Sequence, residues 1–242
     1  MNRRVDLNSA RTGVEVDVGL KSYMQGVFVQ MGGAVALSGL IAYFLGAWGV
    51  DNPVAFAGLF SGTLGWVVAL APLGIVLVAS FGFNRLSYPA LQACFWAYAS
   101  LIGVSFSMIV FKALGDAALM NAVANAFFAS AAAFLGAALY GYTTKRDLLQ
   151  FGSLFFMAII GLLVAMIVNI FLGWQTLSFI ISGVGVLLFT ALTAYDTQKL
   201  KLTYLELGDS TLSRKLAVMG ALGLYINFVL IFQFLLSFFS ND

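Results

Sequence analysis

The residue best placed to do chemistry in this chain is Asp196, in the run Thr193-Ala194-Tyr195-Asp196-Thr197-Gln198. It lies near the end of a long apolar segment, three residues before Lys199. Holding a carboxylate within a membrane-spanning helix costs roughly 2.5–3.5 kcal/mol on insertion scales, so such a group usually faces a cavity or a partner. Two readings are open: a headgroup-zone acid paired with Lys199 or capping a neighbouring helix, and a buried titrating group. The helix face favours the second. Ser182, Gly185, Phe189, Thr193 and Asp196 recur at spacings of three or four, a small and polar stripe suited to facing protein rather than lipid. Ala217, Gly220, Gly223 and Asn227 form a matching stripe in the last apolar segment. Gly185, Gly220 and Gly223 are expected to be helix-packing positions. Asn227 closes either an ordinary interhelical hydrogen bond, worth about 0.6 kcal/mol, or a specific bond to Asp196. Arg85 follows the second apolar segment. It is either a snorkelling arginine or a cover for the cytoplasmic mouth of a pore.

Most other chemistries fail on composition. The chain has 242 residues and no histidine, which removes Ser-His-Asp triads, HExxH zinc sites and histidine proton relays. The lone Cys94 excludes a disulfide within the chain and a cysteine zinc site. A single intramembrane carboxylate is too few for a calcium cage of six to eight oxygens. No cofactor is implied. The net charge of +2 is too small to suggest nucleic acid as a partner.

The elements that must position these residues are membrane helices. Hydrophobic residues make up 62% of the chain, charged residues only 9%, and the mean hydropathy is +0.99. Soluble domains carry about 25% charged residues, so a water-soluble enzyme is excluded and a lipid bilayer is the expected surrounding. A span needs about 20 apolar residues. Seven segments qualify: 23–48, 54–81, 88–111, 117–142, 151–172, 176–197 and 216–239. Barrel strands would be shorter and would alternate in polarity, so helices are the reading. Pro72 is expected to kink the second. Lys199 to Lys215 reads as a polar loop. The chain divides into a 1–22 cytoplasmic tail, a 23–239 seven-helix domain and a 240–242 tail. Residues 1–22 mix Arg3, Arg4, Arg11 and Lys21 with acids and lack an apolar core, so they are not a signal peptide.

Lysine and arginine set orientation. With the N-terminus cytoplasmic, the inner segments hold the four tail cations, Arg85, Lys145, Arg146, Lys199, Lys201, Arg214 and Lys215, and the outer segments hold only Lys112. The C-terminus is then outside, and the loops suit a bacterial inner membrane.

Several rivals are weaker. An intramembrane aspartyl protease would pair Tyr195-Asp196 with a Gly-x-Gly-Asp motif. Here Glu206 stands where that motif's first glycine belongs, and Asp209 sits in a polar loop where helix capping is the ordinary use. The expectation is therefore no enzyme. A retinal protein would need a lysine within 216–239, which has none. A secondary transporter would show repeats or paired broken helices, and neither is visible.

The segments Tyr140-Gly141-Tyr142-Thr143-Thr144-Lys145-Arg146-Asp147-Leu148, Ala194-Tyr195-Asp196-Thr197-Gln198 and Ala221-Leu222-Gly223-Leu224-Tyr225-Ile226-Asn227-Phe228 resemble signatures of the bacterial branch of the Bax inhibitor-1/YccA family. The resemblance covers nearly the whole chain. It implies an all-α membrane fold of seven transmembrane helices, six surrounding a central seventh. It also implies a calcium leak pathway with a proton-sensitive latch, in which an aspartate of span six pairs with one of span seven near an arginine of span two. Asp196 matches the first aspartate and Arg85 the arginine. Asn227 stands in place of the second aspartate. A YccA-like role is the alternative that the resemblance implies: modulator or substrate of a membrane-bound AAA+ protease, gripped by its tail, without channel activity.

Asn227 changes the chemistry expected of such a latch. Two carboxylates sharing one proton titrate together, whereas an aspartate and an asparagine cannot. The amide can donate permanently to ionised Asp196, which predicts weakened pH gating. In span four, where the family often has threonines, the chain reads Phe127-Phe128-Ala129-Ser130-Ala131-Ala132-Ala133. Straight helices turning near Gly208 would leave Asp196 and Asn227 about 10 Å apart in height, and a later turn would reduce that offset.

Overall fold

The computed structural model describes residues 3–240, with side chains from 18 onward. The charges of the tail up to Asp17, and the C-terminal Asp242, lie outside the described side chains. The elements are α1 (Arg3–Asp51), α2 (Pro53–Leu59), α3 (Gly62–Gly82), α4 (Tyr88–Leu114), α5 (Ala117–Thr143), a 3-10 turn (Leu149–Phe151), α6 (Gly152–Leu172), α7 (Gln175–Leu207) and α8 (Thr211–Ser240). Seven of these helices, all but α2, contain a stretch long and apolar enough to cross a membrane, and no strand occurs among the described residues.

Local chemistry explains the boundaries. Ser87 caps α4, accepting from the Ala90 amide, and Asp116 caps α5, accepting from the Ala118 and Leu119 amides at 2.9 and 3.2 Å. Two boundaries correct the expectation. The second span is not continuous over 54–81. The chain breaks at Phe60–Ser61, where Gly62 adopts a φ of +55°, a left-handed conformation that a side chain would strain. Pro72 lies inside α3 without interrupting it. The segment Lys199 to Lys215 is not a loop either. α7 continues as helix to Leu207, and only Gly208, Asp209 and Ser210 separate it from α8. Gly208, at a φ of +59°, ends α7, and Asp209 is bridged by Arg214 in the first turn of α8, with Nε to Oδ1 at 3.0 Å.

Helices that are apolar all round face lipid, and those with small or polar faces pack inward. α3 and α6 are the extremes of the first kind: their buried residues are only Pro72 and Ala79 in α3 and Leu162 in α6. α3 packs chiefly on α4 and α6 chiefly on α7. α8 is the most buried span and packs against α1, α4, α5 and α7. Close approaches occur where side chains are missing. A methyl group at Gly103 would lie 2.8 Å from the Ser38 carbonyl oxygen of α1, and one at Gly141 of α5 would lie 2.1 Å from the Ala194 carbonyl oxygen of α7. One apolar core joins α1, α4 and α8, and a second joins α6, α7 and α8 around Leu188, Phe189, Ile231 and Phe234.

Candidate functional site

Asp196 and Asn227 meet. Asn227 Nδ2 donates to Asp196 Oδ2 at 2.7 Å, across the seam between α7 and α8. The register of that seam shows how. Ser182 pairs with Ser237, Gly185 with Phe234, and Leu200 with Gly220. Asp196 is therefore level with Gly223, and Asn227 lies one turn further along α8, about 6 Å away. This is less than the offset expected for a turn at Gly208, because the reversal takes three residues and falls later. The remainder is closed by the side chains. Helical side chains lean toward the N-terminus of their own helix. On antiparallel helices, Asp196 and Asn227 thus lean toward each other.

The glycines shape the space around the pair. A methyl group at Gly223 would lie 4.0 Å from Asp196 Oδ2, and one at Gly220 would lie 2.2 Å from Leu200. Gly220 is needed for contact between the helices, whereas Gly223 leaves room beside the carboxylate. That room is part of a cavity of about 180 Å³ that includes Asp196, Lys199, Thr203, Gly220 and Gly223. Asn227 is buried, Asp196 is half-buried, and Lys199 is exposed. The neighbouring hydroxyls do not compete for Asp196. Thr193 donates to the Phe189 carbonyl and Thr197 to the Thr193 carbonyl, at 2.8 and 2.7 Å, so both are satisfied within α7. The stripe of small and polar residues is buried as expected, with Ser182, Gly185, Phe189 and Thr193 all inside.

Arg85 is not brought to this pair. It is exposed in the turn after α3, and it makes no side-chain hydrogen bond or ion pair among the described residues. No cluster of three or more His, Cys, Asp or Glu residues that could hold a metal occurs among the described residues, and Asp196 is the site's single carboxylate.

A second polar arrangement beside the site involves residues that sequence reasoning did not single out. The buried Gln198 accepts from the Leu148 amide and donates to the Arg146 carbonyl, both at 2.7 Å. Lys201 donates to the Tyr142 carbonyl at 2.8 Å and lies over the Tyr142 ring. The signature segment after α5 is thus stapled to α7 within two turns of Asp196. No periodic signal marked these residues: Gln198 and Lys201 lie two and five positions beyond Asp196, on a helix that continues past the expected boundary.

Fold and site together define a polytopic helical membrane protein in which an amide holds a single carboxylate between the last two spans. The family model described as "Inhibitor of apoptosis-promoting Bax1" matches residues 20–242, and the chain belongs to this family. A protein of Caulobacter vibrioides is 42% identical over 238 residues, covering 96% of this chain and 93% of the relative. A protein of Rickettsia prowazekii is 36% identical over 225 residues, covering 93% and 92%. The inner membrane protein YbhL of Escherichia coli is 35% identical over 234 residues, covering 94% and 95%. The apolar helices and the similarity to YbhL make this a multi-pass inner-membrane protein. The names of these relatives carry no enzyme activity.

Proposed function

We propose that this protein is a slow cation leak, with calcium as the permeant ion, and that the Asp196–Asn227 bond is the latch on its pathway. The observation that carries the reading is a carboxylate at the contact between two helices, held by a neutral amide and bordered by a cavity. A carboxylate so placed attracts cations, and a single carboxylate does not bind calcium tightly enough to stop its passage. The bond restrains the helices that would have to part. Because Asn227 does not titrate, the latch responds weakly to pH. The excess of lysine and arginine on one side supports a cytoplasmic N-terminus and a cytoplasmic Asp196 end of the seam, with the C-terminus outside. Arg85 then belongs to the cytoplasmic rim as a topology-setting cation.

The test is calcium flux into proteoliposomes. Asp196→Asn keeps an oxygen acceptor for Asn227 but removes the charge, so flux should fall. Asn227→Ala removes the donor, so flux should rise. Intramembrane hydrogen bonds are worth about 0.6–1.7 kcal/mol, which corresponds to an increase of about 3- to 18-fold. Flux absent from wild type and both variants would sink the leak reading. It would favour the protease-modulator role instead, which deletion of residues 2–18 should abolish.

A further inference from the structure

The end of the bundle opposite Asp196 carries a second polar site. This end holds the α6–α7 turn at Gly173 and the C-terminus of α8. Asn169 of α6, Ser178 and Ser182 of α7, and Gln233 and Ser237 of α8 converge there on an open cleft of about 350 Å³. Asn169 Nδ2 donates to Ser178 Oγ at 2.6 Å, and Ser182 Oγ donates to the Ser178 carbonyl at 2.9 Å and lies 3.2 Å from Ser237 Oγ. Asn169 Oδ1 is buried without a protein partner, and Gln233 is an exposed amide on a membrane span. Five polar side chains from three helices would be costly against lipid, whereas water satisfies them. No charged side chain lines the cleft. Its neutral oxygens suit water and a hydrated cation.

Between this cleft and Asp196 the same seam is closed by carbon. Phe189 of α7 stacks on Phe234 of α8, with ring centroids 5.9 Å apart and planes 19° from parallel. Phe234 rests against Gly185, where a methyl group would lie 2.6 Å from the ring. Ile231 and Leu192 are buried in the same apolar cluster. From Gly185 to Leu192 the seal is about 10 Å deep at 1.5 Å per residue. The one polar side chain of α7 within that depth is Thr190, whose buried hydroxyl has no partner among the described residues. A hydrated ion crossing the seal would exchange its water shell for carbon and at most that single oxygen.

We propose that the cleft is the water-filled entrance for a hydrated cation, and that the Phe189–Phe234 stack is the gate separating it from Asp196. The proposal rests on the cation-leak reading and adds a site and a barrier to it. Opening requires the Phe234 ring to leave Gly185, and the latch and the gate then lie on one seam at different depths.

The experiment combines labelling and flux in proteoliposomes, using full-length protein with Cys94→Ser. Single cysteines are introduced as Ser182→Cys, Ser237→Cys, Thr193→Cys and the lipid-facing control Leu187→Cys. A charged, membrane-impermeant methanethiosulfonate is applied from the C-terminal side. Ser182→Cys and Ser237→Cys should react at least roughly tenfold faster than Thr193→Cys or Leu187→Cys, the factor that a difference of ~1.4 kcal/mol produces. Adding Phe234→Ala should expose Thr193→Cys and raise calcium leak about tenfold. Phe234→Leu, the milder variant, should do the same to a smaller degree if the first fails to fold. Reaction of Ser182→Cys and Ser237→Cys no faster than the control overturns the entrance, whatever the flux. An unchanged leak in both Phe234 variants while Asn227→Ala leaks overturns the gate and leaves the leak reading standing. No leak in any variant overturns the gate and the leak reading together, and the labelling rates then report on the cleft alone.

Discussion

α8 makes two buried polar contacts from positions two residues apart. Asn227 reaches α7, and Tyr225 reaches α1. The Tyr225 hydroxyl lies 2.5 Å from Ser38 Oγ, which is also within reach of the Ala34 and Ala99 carbonyls at 2.7 and 2.9 Å. Every group there is neutral, and Tyr98 and Phe95 pack edge-on against the Tyr225 ring. The space beside it is an apolar cleft lined by side chains such as Phe106, Val229 and Phe232. Asn227 instead holds a carboxylate, and the space beside that pair is lined by Lys199 and Thr203. The hydrogen bonds are similar in length. What separates the two contacts is the charge held and the polarity of the adjoining void, and the proposed leak rests on that difference.

If that contrast is right, damage at the two contacts should read out differently. Tyr225→Ala has the largest expected effect on stability. It removes a fully buried aromatic side chain, which costs about 3–5 kcal/mol. Thermal unfolding in detergent should report it, while leak per folded molecule stays at the wild-type level. Next comes Asn227→Ala, with its several-fold rise in calcium flux and a smaller fall in melting temperature. A stability loss like that of Tyr225→Ala with no change in flux would erase the distinction. Tyr225→Phe should be milder still. It deletes only the hydroxyl, for about 0.6–1.7 kcal/mol, and Ser38 keeps its backbone acceptors.

The smallest effect belongs to the turn that sets the seam's register. The Arg214 guanidinium holds the Asp209 carboxyl below its ordinary value of 3.8. A carboxyl depressed in the folded state contributes stability that is fully present above its unfolded pKa and lost as pH falls through the folded one. Asp209→Asn should therefore leave the melting temperature almost unchanged from pH 5 to 8 and narrow its difference from wild type below about pH 4. Both groups are exposed, so salt should weaken even that effect.

The spans were legible because lipid demands long apolar runs, and all seven runs are helical in the structure, the second being divided between α2 and α3. Their ends were less legible. The break between α2 and α3 falls at Ser61-Gly62-Thr63, a turn signal too short to interrupt the apolar run of 54–81 when spans are read by length. The α7 extension was masked by its charges, since Lys199, Lys201 and Glu206 read as loop although helices carry such residues readily beyond the bilayer. Asp196 and Asn227 were legible as polar residues on stripes of small ones. Their hydrogen bond was one of the two readings open for Asn227, and the structure makes it. The match in height was not legible, because a one-turn offset is closed by the lean of side chains, a property of three-dimensional direction. Gln198 escaped notice because a single amide carries no periodic signal, and its partners are backbone atoms 50 and 52 residues away.

The most direct test of the central claim is calcium flux into proteoliposomes from pH 6 to 8, comparing wild type with Asn227→Asp. In wild type one carboxylate is held by an amide that does not titrate, so flux should vary little across this range. Asn227→Asp places a second carboxylate at the same contact, and the pair must then share a proton, so a steep pH response should be installed by that one substitution. A steep response already present in wild type, abolished by Asp196→Asn and untouched by Asn227→Ala, would contradict the account.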